Sequence, residues 1–142
     1  MTLKFEDLIL IRAVLEKGWN GHTSYLLGEH DGYPKSLGQC YVTARALHHV
    51  FGWEILFNGQ DGNNHYWNRL PCGLEVDFTS DQLGGDGVYP AHEMLGKPRR
   101  FKPLQDCKTI NPRLRLYLQQ IEAPLRILKK ELDGKHSASV SE

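Results

Sequence analysis

Cys40, His65 and Asp77 follow one another in the order that thiol chemistry can use: a nucleophile, a base, and an acid to orient the base. Cys40 comes directly after Gly38-Gln39 and opens a stretch with helical periodicity. The thiolate is the reactive form of cysteine, and a helix N-terminus favours negative charge. The first-turn N–H groups of a helix have no intrahelical acceptor, so they can hold the oxyanion of a tetrahedral intermediate. Gln39 places a side-chain amide beside them as an auxiliary donor. The competing reading of Cys40 is an inert thiol packed against Ala44 and Leu47. His65 follows a turn rich in Gly and Asn and opens a strand, where its imidazole could serve the thiol. Its competing reading is a surface histidine at a strand end.

The parity of a hairpin connects His65 to Asp77. Tyr66–Leu70 and Leu74–Phe78 read as strands joined by Pro71-Cys72-Gly73. Proline suits the first turn position, and glycine suits the left-handed residue of a three-residue loop. An odd loop pairs Leu70 with Leu74 and Trp67 with Asp77. Side chains alternate along a strand, so His65, Trp67, Glu75 and Asp77 share one face, while Tyr66, Asn68, Val76 and Phe78 share the other. His65 and Asp77 are then diagonal neighbours within reach of a hydrogen bond. A two-residue loop would separate them. An acid inside an apolar strand needs a partner in any case, and Arg69 is the alternative.

The remaining elements position this trio. Phe5, Leu8, Ile9, Val14 and Leu15 predict a first helix over 5–17 that stops at Gly18. A long polar connection carries Trp19 and Thr23-Ser24. Cys40, Ala44, Leu47 and Phe51 share one face of a second helix, with Gly52 as its stop. Trp53–Phe57 reads as a strand. Residues 79–106 read as a long connection, and Lys97–Lys102 as a solvated basic loop rather than a nucleic-acid site. Asn111-Pro112 caps a last helix over 112–133. Its stripe of Leu114, Leu118, Ile121, Leu125, Leu128 and Leu132 must be covered by the domain or by a second copy. The near-heptad spacing favours a homodimer, although Pro124 argues for a kink. Gly134 ends the pattern, and 135–142 reads as a disordered tail.

The segments Gly38-Gln39-Cys40, His65-Tyr66-Trp67-Asn68-Arg69-Leu70 and Gly73 to Gln82 resemble the YunG-type family of small bacterial and phage proteins. Trp19 with Thr23-Ser24 resembles that family's N-terminal signature. The resemblance covers roughly residues 8–82 and implies the family, without a substrate. Within it Asn68 and Gln82 are read as structural side chains that hydrogen-bond the following loop.

Composition narrows the classes. The chain has 142 residues, enough for one domain (1–134 here), with 17 basic and 17 acidic residues. A balanced surface argues against a dedicated nucleic-acid or acidic-membrane partner. No signal-peptide pattern opens the chain, and its longest apolar run is far too short to span a bilayer. Three cysteines without CxxC spacing fit a reducing, cytoplasmic setting. No HxxxH spacing occurs, and the neighbours His48 and His49 point about 100° apart on a helix, so no metal and no cofactor is expected.

The expectation is an α+β fold with a papain-like or transglutaminase-like core: a nucleophile helix on a small, mainly antiparallel sheet, then a long C-terminal helix. Its function would be cysteine-dependent acyl transfer on a protein or peptide substrate (amide hydrolysis, deamidation or transamidation). Trp19 and Trp67 would line the cleft. The alternative is a catalytically silent protein of the same fold that binds a partner.

Overall fold

The computed structural model describes residues 2–25, 34–59, 64–94, 100–101 and 108–140. Helix α1 spans Phe5–Glu16, and the Asp7 carboxylate accepts the Lys4 N–H at 2.8 Å at its start. Leu8, Ile11 and Leu15 form its buried face. Phe5 and Ile9, expected inward, are exposed instead. Both apolar sets are compatible with a helical period, and only packing chooses between them.

Helix α2 spans Cys40–Phe51 and ends as expected at Gly52, whose φ of 76° suits glycine and whose N–H bonds the His48 carbonyl at 2.9 Å. Val42, Ala46, Leu47 and Val50 enter the main core. Strands β1 (Glu54–Asn58), β2 (His65–Arg69), β3 (Glu75–Val76) and β4 (Arg100–Phe101) form an antiparallel sheet in the order β3-β2-β1-β4. Asn68 faces Val76 and Arg69 faces Glu75, the register of a three-residue loop. Leu70 N–H bonds the Leu74 carbonyl at 2.8 Å, and Gly73 sits at φ 96°. Strand β3 is shorter than its sequence pattern because the Asp77 N–H turns away to the Val88 carbonyl. Strand β4 was not expected. Arg100 and Phe101 pair with Phe57 and Leu56, so this part of the basic stretch is an edge strand.

Helix α3 spans Pro112–Val140, with the Asn111 side chain accepting the Leu114 N–H at 2.9 Å as its cap. Its stripe of Leu114, Leu118, Ile121, Leu125, Leu128 and Leu132 is buried in the main core with α1 and α2. The face that motivated a homodimer is thus covered by the chain's own domain. The approach to the α1 end is close. A Cβ at Gly18 would lie 2.7 Å from Ile121 Cγ2 and 2.8 Å from the Tyr117 ring. The helix also runs past Gly134, so residues 135–140 are helical rather than a tail. Lys135 and His136 meet the buried Asp7 carboxylate at 3.0 and 3.2 Å, and these bonds offset the modest cost of a helical glycine. Among the described residues, no helix is long and apolar enough to cross a membrane.

Candidate active site

Cys40 is the first residue of α2, and His65 is the first residue of β2. The Cys40 thiol lies 4.0 Å from the Asn64 carbonyl, and Cys40 is close enough to the His65 ring to raise its pKa. His65 Nε2 lies 2.6 Å from Asp77 Oδ2, which leaves Nδ1 as the nitrogen for Cys40. Asp77 Oδ1 accepts the Thr79 N–H and the Thr79 hydroxyl, both at 3.1 Å. This buried carboxylate has both oxygens engaged, so it can hold one orientation of the ring. Trp67 backs the imidazole, with ring centroids 5.6 Å apart. Arg69, the alternative partner for Asp77, pairs with Glu54 at 2.9 Å instead.

Burial by itself would lower the His65 pKa. The hydrogen bond and charge of Asp77, together with the proximity of Cys40, outweigh it and raise the pKa from 6.5 to about 10. The raised pKa favours the imidazolium, which can give a proton to a leaving group. It also places a positive charge beside the sulfur.

Gln39 takes a different place from the one expected. Its side chain is fully buried behind Cys40, where Nε2 donates to the Asn20 carbonyl at 2.9 Å and Oε1 accepts from the Thr23 hydroxyl at 2.8 Å. The amide ties the loop after α1 to the base of the nucleophile helix. Trp19 and Trp67 are likewise core residues rather than cleft walls. Trp19 donates to Thr43 Oγ1 at 2.9 Å within the main core. Trp67 donates to Glu75 at 2.8 Å and belongs to a second cluster with Leu56, Ala91 and Met94. A tryptophan is large enough that burying it outweighs leaving it in an open groove, provided its N–H finds an acceptor.

The cleft beside Cys40 and His65 has a volume of about 630 Å³, and Tyr25, Tyr41, Tyr66, Gln82 and Asn111 line it. Of the three tyrosines, Tyr25 and Tyr41 were not expected there. The three come from the loop before α2, from α2 and from β2, and meet edge-on, with centroids 5.3 Å (Tyr25–Tyr41) and 5.1 Å (Tyr41–Tyr66) apart. Asn111 donates to the Tyr25 hydroxyl at 2.7 Å, so the start of α3 is part of the cleft wall. Asn68, expected to bond the following loop, instead donates to the Ala44 carbonyl at 3.0 Å and joins β2 to α2.

A second group of polar side chains holds the loop after the hairpin. Arg12 donates to the Phe78 and Gly87 carbonyls at 3.2 and 3.1 Å and to Asp81 at 2.9 Å. Ser36 donates to the other Asp81 oxygen at 2.5 Å. Gln82 accepts the Gly38 N–H at 3.1 Å through Oε1, reaching the loop before Cys40 rather than the one that follows Gln82. Among the described residues, no three His, Cys, Asp or Glu side chains are grouped to hold a metal ion.

Residues 7–116, most of the chain, match the YunG protein family. The uncharacterised protein YunG of Bacillus subtilis (strain 168) is 33% identical over 73 residues. That segment covers 51% of this chain and 60% of the relative. No solved structure matches the chain. The family match encloses Cys40, His65, Asp77, the Arg12 and Gln82 contacts and the start of α3, so the chain belongs to the YunG family.

Proposed function

We propose that the chain is a cysteine-dependent acyl-transfer enzyme with a papain-like or transglutaminase-like catalytic arrangement. The observation that carries this reading is His65, hydrogen-bonded to the buried Asp77 at 2.6 Å, with Cys40 close enough to raise its pKa and both residues lining one cleft. In the first step the Cys40 thiol proton passes to His65, the sulfur attacks a substrate carbonyl carbon, and the C=O electron pair moves onto oxygen. Collapse of that oxyanion expels the leaving amine, which takes a proton from His65, and leaves a thioester on Cys40. Water or an amine then attacks the thioester. His65, now neutral, accepts the proton of the attacking group, and the sulfur departs. Asp77 holds the ring throughout.

The open cleft with aromatic walls suits an extended peptide or a protein side chain, which supports a protein or peptide substrate. The alternative is a catalytically silent binding module with the C-terminal helix as its contact; the leucine stripe of that helix is buried, and Leu116 and Ile127 on it are exposed. The test is a panel of chromogenic thiol-reactive esters and peptide amides, with wild type compared against Cys40→Ala. Turnover in wild type that Cys40→Ala abolishes supports the proposal. Equal rates in the two proteins defeat it.

A further inference from the structure

We infer that the acyl part of the substrate carries an uncharged aromatic side chain beside its reacting carbonyl, and that Tyr66, Tyr41 and Tyr25 select it. This rests on the acyl-transfer reading above and names the substrate class for the same cleft. The three rings line that cleft beside Cys40 and His65, together with Leu37 and Leu83. Among the described residues, none of the lining side chains is Asp, Glu, Lys or Arg. The wall is aromatic and aliphatic up to the reacting pair, with a few amide groups between, which is the make-up of a site for an apolar group.

The aromatic row starts at the reacting groups. Tyr41 directly follows Cys40 on α2, and Tyr66 directly follows His65 on β2. Their rings meet edge-on at 5.1 Å, and Tyr25 extends the row from Tyr41 at 5.3 Å. Burial and, after it, the charge of Cys40 raise the Tyr66 pKa, so that ring lies close to the sulfur. A side chain beside the attacked carbonyl is therefore within reach of the row. A further ring can join it through the offset or edge-on contacts that aromatic groups favour, and sheds water in doing so.

A charged side chain fits less well. Two of the rings already carry a cation: the Arg113 guanidinium lies 4.6 Å from the Tyr25 centroid, and that of Arg45 lies 5.5 Å from the Tyr41 centroid. A substrate lysine or arginine would meet these charges with no carboxylate on the described wall to pair with. A substrate carboxylate would lose water without gaining a direct ion pair, because neither arginine lines the cleft. Arg45 donates to the Tyr41 hydroxyl and the Thr109 carbonyl, and Arg113 donates to the Ser24 carbonyl.

The experiment measures kcat/KM of the full chain for the N-acetyl p-nitrophenyl esters of phenylalanine, glycine, arginine and glutamate. The leaving group is constant, so ratios between esters report the acyl side chain. The phenylalanine ester should exceed the glycine ester by about 10- to 100-fold, with arginine and glutamate at or below glycine. Tyr66→Ala and Tyr25→Ala should each lower the phenylalanine-to-glycine ratio by about 3- to 10-fold. Damage to the fold or to His65 would slow both esters alike, so the ratio separates selection from support. Tyr25 is the more exposed of the two, and its variant keeps the test decisive if Tyr66→Ala does not fold. An arginine or glutamate ester as fast as the phenylalanine ester overturns the inference, as does a wild-type ratio in the folded variants. Turnover without aromatic preference leaves the acyl-transfer reading standing and ends this inference alone. If none of the four esters acylates a Cys40 that iodoacetamide still alkylates, the acyl-transfer reading fails, and this inference fails with it.

Discussion

Helix α2 is packed on two sides that are built from different materials. Towards α3 and α1 the contacts are aliphatic: Leu8, Ile11, Leu15, Leu114, Ile121 and Leu125 are all fully or almost fully buried. Towards the hairpin and the loop before α2, many buried groups are polar, set beside Val76 and Phe78: Gln39, Thr23, Asn68, His65, Asp77 and Thr79. An apolar layer tolerates small shifts, because dispersion and burial are not directional. A polar layer requires each donor to meet its acceptor, or the buried group costs more than it contributes. The first side holds the helix in place, and the second sets the position of its first residue to within a hydrogen-bond length.

The largest effect should come from the polar side. Cys40→Ala should abolish acyl transfer, a loss of about 10³-fold or more, while thermal unfolding stays close to wild type. A Cys40→Ala protein that is equally active, or unfolded, would break the division between the two sides. Asp77→Asn should follow, with acyl transfer reduced by about 10²-fold or more, because the neutral amide neither orients the ring nor supports its charge. Histidine NMR offers a sharper readout. Asp77 and Cys40 both raise the His65 pKa, so Asp77→Asn and Cys40→Ala should each lower it from about 10 towards 6.5. An unmoved titration would disconnect that residue from His65.

On the apolar side, Ile121→Ala should cost about 2–5 kcal/mol in denaturant unfolding, yet leave the alkylation rate of folded Cys40 within a few-fold of wild type. Loss of reactivity in still-folded protein would mean that the aliphatic layer also tunes the site. The pH dependence of stability separates the two sides further. The folded pKa of His65 is above its unfolded value, so its contribution is complete below about 6.5 and disappears as pH rises through about 10. Asp7 has the opposite sign. Burial would raise its pKa, but the Lys4 N–H and the Lys135 and His136 side chains outweigh that and hold it below 3.8. Its contribution is present above that value and is lost as pH falls. Ending the chain at Gly134 removes two of these partners. It should produce the smallest change, about 1 kcal/mol near neutral pH, shrinking in acid. A loss that grows on acidification would assign the stabilisation to something other than Asp7.

Short-range chemistry was legible in the chain itself. The three-residue loop at Pro71-Cys72-Gly73 set the parity that puts His65 and Asp77 on one face, because strand side chains alternate with a period of two. Gly52 and Asn111 marked helix ends for equally local reasons, a left-handed backbone and a side-chain cap. The tertiary structure decided what lies behind and around the site. Gln39 meets Asn20 and Thr23, Gln82 meets Gly38, and Tyr25 meets Tyr41 and Asn111, across separations that no periodicity records. The same holds for the α3 stripe. Its spacing requires an apolar partner but carries no information about which one, and the choice of α1 and α2 over a second copy was made by the close approach of Ile121 and Tyr117 to Gly18. Local patterns specify which face is buried, whereas the identity of the surface opposite depends on how the whole chain closes.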